Sequence, residues 1–197
     1  MDDRSFRLGD HGRYPTKGIG MATLFGDFDV TDFWADNEYA AETYVQAFPS
    51  GELVAEVESL LGYKIPPAYI ELCKTQNGGS PNNTCYRTQI PIFWSDDHAE
   101  LVGIFAIGKT ADSSLGGIDG SKFWMEEWGY PDIGIYFADT PTAGHDMFCL
   151  DYQECGPNGE PKVVHVHQEG DYKTTLIADS FEAFIRGLEP KSNFDVG

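Results

Sequence analysis

Two histidines separated by one residue are the first side chains in this sequence whose spacing suits chemistry. His165 and His167 lie in a valine-rich run, where a β-strand would place both side chains on one face. Imidazole pairs bind transition metals, and His145, Asp146 or Asp151 could supply further ligands. None of these residues has a spacing that marks a ligand set, and strand histidines beside a turn are commonly ordinary surface residues. We therefore predict no metal site.

The pattern of a phosphate-binding P-loop occurs between Gly103 and Thr110. The sequence GIFAIGKT satisfies G-x-x-x-x-G-K-[ST]. A P-loop needs a compact turn whose N–H groups surround phosphate, followed at once by a helix. Here the intervening Ile, Phe, Ala and Ile favour a strand, and the following ADSSLGGIDG is a poor helix former. We therefore predict no nucleotide site and no bound cofactor.

Side chains for nucleophilic or acid–base catalysis form no recognisable set. There is no G-x-S-x-G elbow, and no cysteine is framed by a histidine signature. Neighbouring acids such as Glu126 and Glu127 diverge in regular structure. Carboxylate pairs for hydrolysis come from separate elements, which a sequence alone does not reveal. His98 lies in an acidic run, which by itself makes no catalyst. We predict that the protein is not an enzyme.

The cysteines and the N-terminal sequence bear on the compartment. The four cysteines form no C-x-x-C pair, and they are Cys73, Cys85, Cys149 and Cys155. The N-terminal residues are polar and lack the hydrophobic centre of a secretory signal. No apolar run approaches the roughly 20 residues that span a bilayer. We expect reduced structural thiols and a cytoplasmic protein.

Helices are predicted near the start of the domain and at its end. A helical pattern runs from Glu38, and a clearer one follows Ser50 and stops at Gly62. A further helix begins at Pro66-Pro67, which suit a first turn, and ends before Asn77. Near the C-terminus, Asp179-Ser180 begins a helix whose apolar stripe repeats at helical spacing. That stripe consists of Phe181, Phe184, Ile185 and Leu188.

The middle of the chain is predicted to be rich in strands. Strands are expected at residues 89–94, 101–107 and 132–138, and on both sides of the turn Gly156–Gly159, whereas residues 121–128 form a short helix or an aromatic flap. The fold class is therefore α+β, with N-terminal helices, a central mainly antiparallel sheet and a closing C-terminal helix. We expect an N-terminal arm at residues 1–23, one domain at 24–190 and a tail at 191–197.

The charge of the chain restricts its partners. The 197 residues include 32 acidic and 13 basic side chains, a net charge of −19. This field repels nucleic acid and anionic membranes, so neither is expected as a partner. A basic protein would be attracted and steered. Many acidic proteins carry such charge for solubility alone, and that interpretation stays open.

Aromatic residues beside acids recur at three places, near residues 33–36, 93–97 and 123–128. Trp, Tyr and Phe are favoured anchors in protein interfaces, and rim charges steer the approach. A single tryptophan is more often part of the core, but we expect at least one of the three clusters to be exposed. The predicted partner-binding residues are Trp94, Asp96, Asp97, Glu100, Trp124, Glu126, Glu127 and Trp128.

Several short runs, in this order and spacing, resemble the SUKH superfamily, which includes bacterial toxin-immunity proteins and a fungal cell-wall synthesis regulator. The matching runs are Glu58–Tyr69 (ESLLGYKIPPAY), Gln76–Gly79 (QNGG), Cys149–Tyr152 (CLDY), Gly156–Pro161 (GPNGEP) and Ile177–Phe184 (IADSFEAF). The resemblance extends from about Thr31 to Leu188 and leaves the N-terminal arm outside.

The resemblance implies an α+β fold without catalysis, and a protein that binds a partner. In bacterial members that partner is often a polymorphic toxin domain, frequently a nuclease, which the bound protein neutralises. An acidic inhibitor suits the basic surface of a nuclease. The alternative implied by the fungal relative is a regulatory or scaffolding module that binds another cellular protein. The matching runs look like determinants of the fold, and no active site is implied.

Overall fold

The structure is a computed structural model that describes residues 24–194, so the predicted arm at residues 1–23 and residues 195–197 lie outside the described part. Its helices are α1 (Glu38–Thr43), α2 (Gly51–Leu61), α3 (Pro67–Cys73), α4 (Ser121–Glu126) and α5 (Phe181–Arg186). Its strands are β1 (Cys85–Arg87), β2 (His98–Glu100), β3 (Gly103–Ile104), β4 (Gly134–Asp139), β5 (Asp146–Asp151), β6 (Lys162–His167), β7 (Lys173–Ala178) and β8 (Leu188–Glu189). The predicted α+β class is confirmed.

The larger sheet has five strands in the order β3-β4-β5-β6-β7, and every neighbouring pair is antiparallel. Almost all residues of β4, β5 and β6 are buried, so both faces of these central strands are covered. The β5–β6 hairpin has the predicted turn, in which Gly156 takes a left-handed φ of 73°.

The predicted helices α2 and α3 are confirmed, and local chemistry explains their limits. The Ser50 hydroxyl accepts from the Leu53 N–H at 3.1 Å, which caps the start of α2. Gly62 ends this helix in the left-handed region, with φ of 82°. Pro67 begins α3, where its missing N–H costs no hydrogen bond.

The closing helix α5 is also confirmed, and it packs against α3. The Ser180 hydroxyl accepts from the Ala183 N–H at 3.1 Å. The ring of Phe181 lies 4.5 Å from that of Tyr69, whose hydroxyl donates to the Phe105 carbonyl. Phe184 packs 5.7 Å from Phe137 of β4. These aromatic side chains join both helices to the sheet in one core.

A smaller sheet, in the order β2-β1-β8, lies beside the core. One face points inward, where Tyr86 stacks on Phe184 at 5.6 Å. The other face is covered by residues 190–194. Lys191 forms an ion pair with Glu100 at 2.9 Å, and the Phe194 ring lies 4.5 Å from that of His98. The first residues of the predicted tail therefore pack on β2.

The prediction of a strand at residues 89–94 is wrong. The Ile92 N–H donates to the Ser95 carbonyl at 2.9 Å and closes a turn, and Pro91 has no N–H to offer a sheet.

The strand predicted at residues 101–107 is reduced to β3. Beyond it, the backbone of Ile107 bonds to the side-chain amide of Asn77, with its N–H at 2.8 Å and its carbonyl at 2.9 Å. An amide side chain thus takes the place of a neighbouring strand.

Candidate functional site

The three acid–aromatic clusters differ in exposure. In the first, Phe33 is buried, and Trp34 is partly buried with its indole N–H donating to the Thr75 hydroxyl at 3.0 Å. In the second, Phe93 and Trp94 are 62% and 53% exposed. The second cluster, at residues 93–97, is therefore exposed, as expected for at least one of the three. We call the segment that contains it, residues 90–97, the aromatic loop.

The aromatic loop is held closed by hydrogen bonds of the backbone and of the Ser95 side chain. The Thr88 N–H donates to the Asp97 carbonyl at 2.8 Å, across the base of the loop. The Ser95 hydroxyl accepts from the N–H groups of Asp97 and His98 at 3.4 and 3.3 Å. Ile90 is a third exposed apolar side chain, at 51%. The exposed side chains therefore stand on a bonded turn.

A buried aspartate between two histidines supports the aromatic loop from below. Asp146 contacts His167 at 2.5 Å and His165 at 3.6 Å, and these three residues are only 1%, 6% and 2% exposed. The ring of Phe93 stacks on that of His167, with centroids 4.4 Å apart and planes 19° apart. Trp94 meets Phe93 edge-on at 4.7 Å.

The prediction that these histidines are surface residues is wrong. The sheet register pairs Asp146 directly with His167, so β5 supplies a carboxylate to both imidazoles. His145, which the sequence offered as another ligand, lies instead 3.3 Å from the carboxylate of Glu169. Asp151 lies at the opposite end of β5, paired with Lys162.

The third cluster is packed. Residues 121–126 form α4, which decides between the two predicted structures in favour of the helix. Trp124 and Trp128 are partly buried with rings 5.3 Å apart, and the Trp124 indole N–H donates to the Asp119 carbonyl at 3.0 Å. Glu126 and Glu127 are exposed.

The second and third clusters lie on opposite sides of the turn that joins β4 to β5. Thr140 in this turn lines a cavity of about 80 Å³ together with Trp94, and a second cavity of about 350 Å³ together with Trp124 and Trp128. The fold thus brings Trp94, Trp124 and Trp128 close to the same turn, at one end of the larger sheet. Glu100 is partly buried, as Trp124 and Trp128 are, and its carboxylate forms an ion pair with Lys191.

The P-loop pattern has no phosphate-binding geometry. Gly103 begins β3, and turns follow Thr110 up to Ser121, where the next helix starts. The Lys109 ammonium forms an ion pair with Glu56. Without a helix at its end, this segment lacks the ring of N–H groups that phosphate needs.

One group of potential metal ligands escaped the sequence prediction. The ligand atoms of Cys85, His98 and Glu100 all lie within 4.8 Å of one another. Cys85 is on β1 and the other two are on β2, so only the strand pairing brings them together. The alternation of His98 and Glu100 was a usable signal, but the sequence did not show which cysteine faces them.

Within residues 24–194, no helix combines the length and the apolar character needed to cross a bilayer.

Comparisons with known proteins identify the family. The family model SUKH_6, described as SMI1-KNR4 cell-wall, matches residues 51–185, from the start of α2 into α5. A search of curated proteins finds no match. The family match covers well over half of the chain and includes all of the runs quoted for the resemblance. The protein therefore belongs to the SMI1-KNR4 cell-wall family of the SUKH superfamily.

Proposed function

We propose that the protein is a non-catalytic immunity protein that binds and neutralises a basic bacterial toxin domain in the cytoplasm. Family membership supports a domain of the immunity or regulatory kind. The observation that carries the proposal is the aromatic loop, which presents adjacent aromatic side chains to solvent on a hydrogen-bonded turn. Large exposed apolar side chains on a bonded turn are typical of interface anchors, because little conformational entropy is lost on binding.

The charges around the aromatic loop favour a basic partner. Asp96 and Asp97 are exposed at its edge, and Glu126 and Glu127 are exposed beyond the β4–β5 turn. With a net charge of −19, these carboxylates would attract a nuclease through the basic surface that binds its nucleic acid. We assign Trp94 to the centre of the contact, and the exposed Asp96, Asp97, Glu126 and Glu127 to its rim.

The remaining predicted residues receive supporting roles in this proposal. Trp124 and Trp128 are partly buried, so they hold α4 and its glutamates in place. Glu100 is engaged by Lys191 and contributes mainly to the local field.

The family description favours a second candidate, a regulatory or scaffolding module that binds another cellular protein. Both candidates use the same surface, and the partner distinguishes them. Co-expression with a toxin domain encoded beside the gene should restore growth if the first is correct. Normal binding to another cellular protein with no protection from that toxin would favour the second.

The aromatic anchors are tested by the double variant Phe93→Ala/Trp94→Ala. We expect its affinity for the toxin domain to fall by at least about 30-fold, because truncated hot-spot aromatics typically cost 2 kcal/mol or more. The matched control is Tyr39→Ala/Phe48→Ala, since these side chains are equally exposed at 63% and 64%. Calorimetry should show unchanged affinity for the control. An equal loss in both double variants would contradict the role of the aromatic loop.

The rim charges are tested by Asp96→Lys/Asp97→Lys. We expect association with the toxin domain to slow by about tenfold at low salt, with a weaker dependence on salt, because rim charges act mainly on the association rate. Asp36→Lys/Glu42→Lys makes the same change in net charge at other exposed positions. Stopped-flow traces that slow equally for both variants would show that only the net charge matters.

A further inference from the structure

We propose that Cys85, His98 and Glu100 form a binding site for a late first-row divalent metal ion, with Zn²⁺ the best fit. The three residues lie on one face of the paired strands β1 and β2. Cys85 is directly opposite Glu100 in the antiparallel register, and His98 precedes Glu100 by two positions. Their ligand atoms are all within 4.8 Å of one another.

The types of the three ligands determine which metal ion the site would prefer. A thiolate, an imidazole and a carboxylate are the ligands that Zn²⁺ takes in proteins, whereas Mg²⁺ and Ca²⁺ prefer oxygen alone. The thiolate and the carboxylate together balance the charge of a divalent ion. In tetrahedral sites with ligands about 2.0–2.3 Å from the metal, ligand atoms are roughly 3.3–3.8 Å apart. The present separations, all within 4.8 Å, therefore have to shorten by at most about 1.0–1.5 Å.

The orientation of His98 suits coordination. Its Nδ1 lies 2.9 Å from the Asp97 carboxylate and 2.8 Å from the Ser95 hydroxyl. Because a carboxylate only accepts, these contacts favour the tautomer of the neutral ring that has its proton on Nδ1, which leaves the Nε2 lone pair for a metal. Carboxylate–histidine–metal arrangements of this kind fix the ring and raise its basicity as a ligand.

The surroundings leave room for a fourth ligand and cover most of the site, since the side chains of His98 and Glu100 are only 19% and 22% exposed. Cys85 is fully buried, and the Phe194 ring covers His98 at 4.5 Å. His98 and Glu100 also line the cavity of about 80 Å³ described above, which is larger than the roughly 30 Å³ that a water molecule occupies. Three protein ligands and one water would complete a tetrahedral site.

The ammonium group of Lys191 opposes metal binding. Its ammonium lies 2.9 Å from both carboxylate oxygens of Glu100, so a metal ion must compete with it for this ligand. Replacing Lys191 with methionine keeps most of the packed side chain and removes the competing charge. The proposal therefore predicts tighter metal binding by Lys191→Met, which a purely structural ion pair would not produce.

The test is titration of the reduced protein with Co²⁺, followed by displacement with Zn²⁺. It is carried out in the Cys155→Ser background, because Cys155 is an exposed thiol. One equivalent of Co²⁺ should produce thiolate charge-transfer absorption and the intense visible bands of four-coordinate cobalt. Cys85→Ser should abolish the charge-transfer absorption. His98→Asn and Glu100→Gln should weaken binding by more than the roughly 10–100-fold caused by losing a residue that only orients a ligand.

Matched controls separate the site from general binding. Cys73→Ser removes another fully buried thiol, and His145→Asn removes a histidine outside the site, so both should bind Co²⁺ like the parent. Thermal unfolding with and without Zn²⁺ shows whether each variant folds. If Cys85→Ser does not fold, His98→Asn still tests the site. The same charge-transfer absorption in Cys85→Ser, or none in the folded parent protein, would overturn the proposal. Either result leaves the protein-binding proposal unaffected.

Discussion

The aromatic loop and the segment at residues 121–130 contain similar residue types, with neighbouring aromatics followed by paired acids, yet one is exposed and the other packed. In α4, the helix directs Trp124 towards Gly144 and Tyr130. In the aromatic loop, a turn at Ile92–Ser95 directs Phe93 and Trp94 outward. Backbone geometry therefore decides whether an acid–aromatic run is packed into the core or exposed to solvent.

The largest expected effect is on stability in the packed segment. Trp124→Ala should lower the free energy of unfolding by about 2–4 kcal/mol, because the change removes a packed ring and the hydrogen bond to Asp119. Urea unfolding measures this directly. If Trp124→Ala were no more destabilising than Trp94→Ala, the distinction between packed and exposed clusters would fail.

A buried acid on β4, beside the packed segment, should make the stability of the protein depend on pH. Burial raises the pKa of Asp139, which lines the cavity beside Trp124, to about 6 from the ordinary 3.8, although hydrogen bonds from the Tyr44 hydroxyl and the Gly103 N–H oppose the rise. Between these pH values the folded state binds more protons than the unfolded state. The stabilisation is therefore fully present below pH 3.8 and is lost as the pH rises through about 6.

The variant Asp139→Asn should remove this part of the pH dependence, at most about 3 kcal/mol between about pH 4 and pH 7. Asparagine keeps an acceptor for the Gly103 N–H. Asp96→Asn, in the aromatic loop, is the exposed control and should change stability by less than about 0.5 kcal/mol at either pH. Parallel slopes for Asp139→Asn and the parent protein would contradict the assignment.

The smallest expected effect is the change in the stability of the protein when an aromatic side chain of the aromatic loop is removed. Trp94→Ala should lower the free energy of unfolding by less than about 1 kcal/mol, because the ring is half exposed and meets the rings of Phe93 and His167 edge-on, at 4.7 Å and 6.4 Å. The same change should weaken partner binding. Trp94→Ala should therefore lower the affinity for the partner and leave the free energy of unfolding nearly unchanged. A loss of several kcal/mol in urea unfolding would show that Trp94 has a structural role.

The sequence predicted those parts of the fold that local chemistry controls. Ser50, Gly62 and Ser180 limit helices through caps that short-range patterns reveal. A turn around Pro91 replaces the strand predicted at residues 89–94. The predicted strand at residues 101–107 is shortened to β3 because Ile107 bonds to the side chain of Asn77, which lies far away in the chain. Apolar composition suggested strands in both places and could not show these competing bonds.

The candidate site was less predictable because it depends on pairing between strands. Exposure of the Phe93–Trp94 pair follows from the turn, and the buried contacts of Asp146 with His165 and His167 follow from the β5–β6 register. A similar register places Cys85 opposite Glu100. The residue types at these positions suggested a role from the sequence. Their burial and their contacts depend on residues that are distant in the chain.

The most direct test of the central claim is hydrogen–deuterium exchange of the protein alone and bound to its toxin domain. Binding should slow exchange most strongly in the aromatic loop and in the β4–β5 turn, with a smaller change at residues 121–128. Strong protection on another face, with the exchange of residues 90–97 unchanged, would contradict the account.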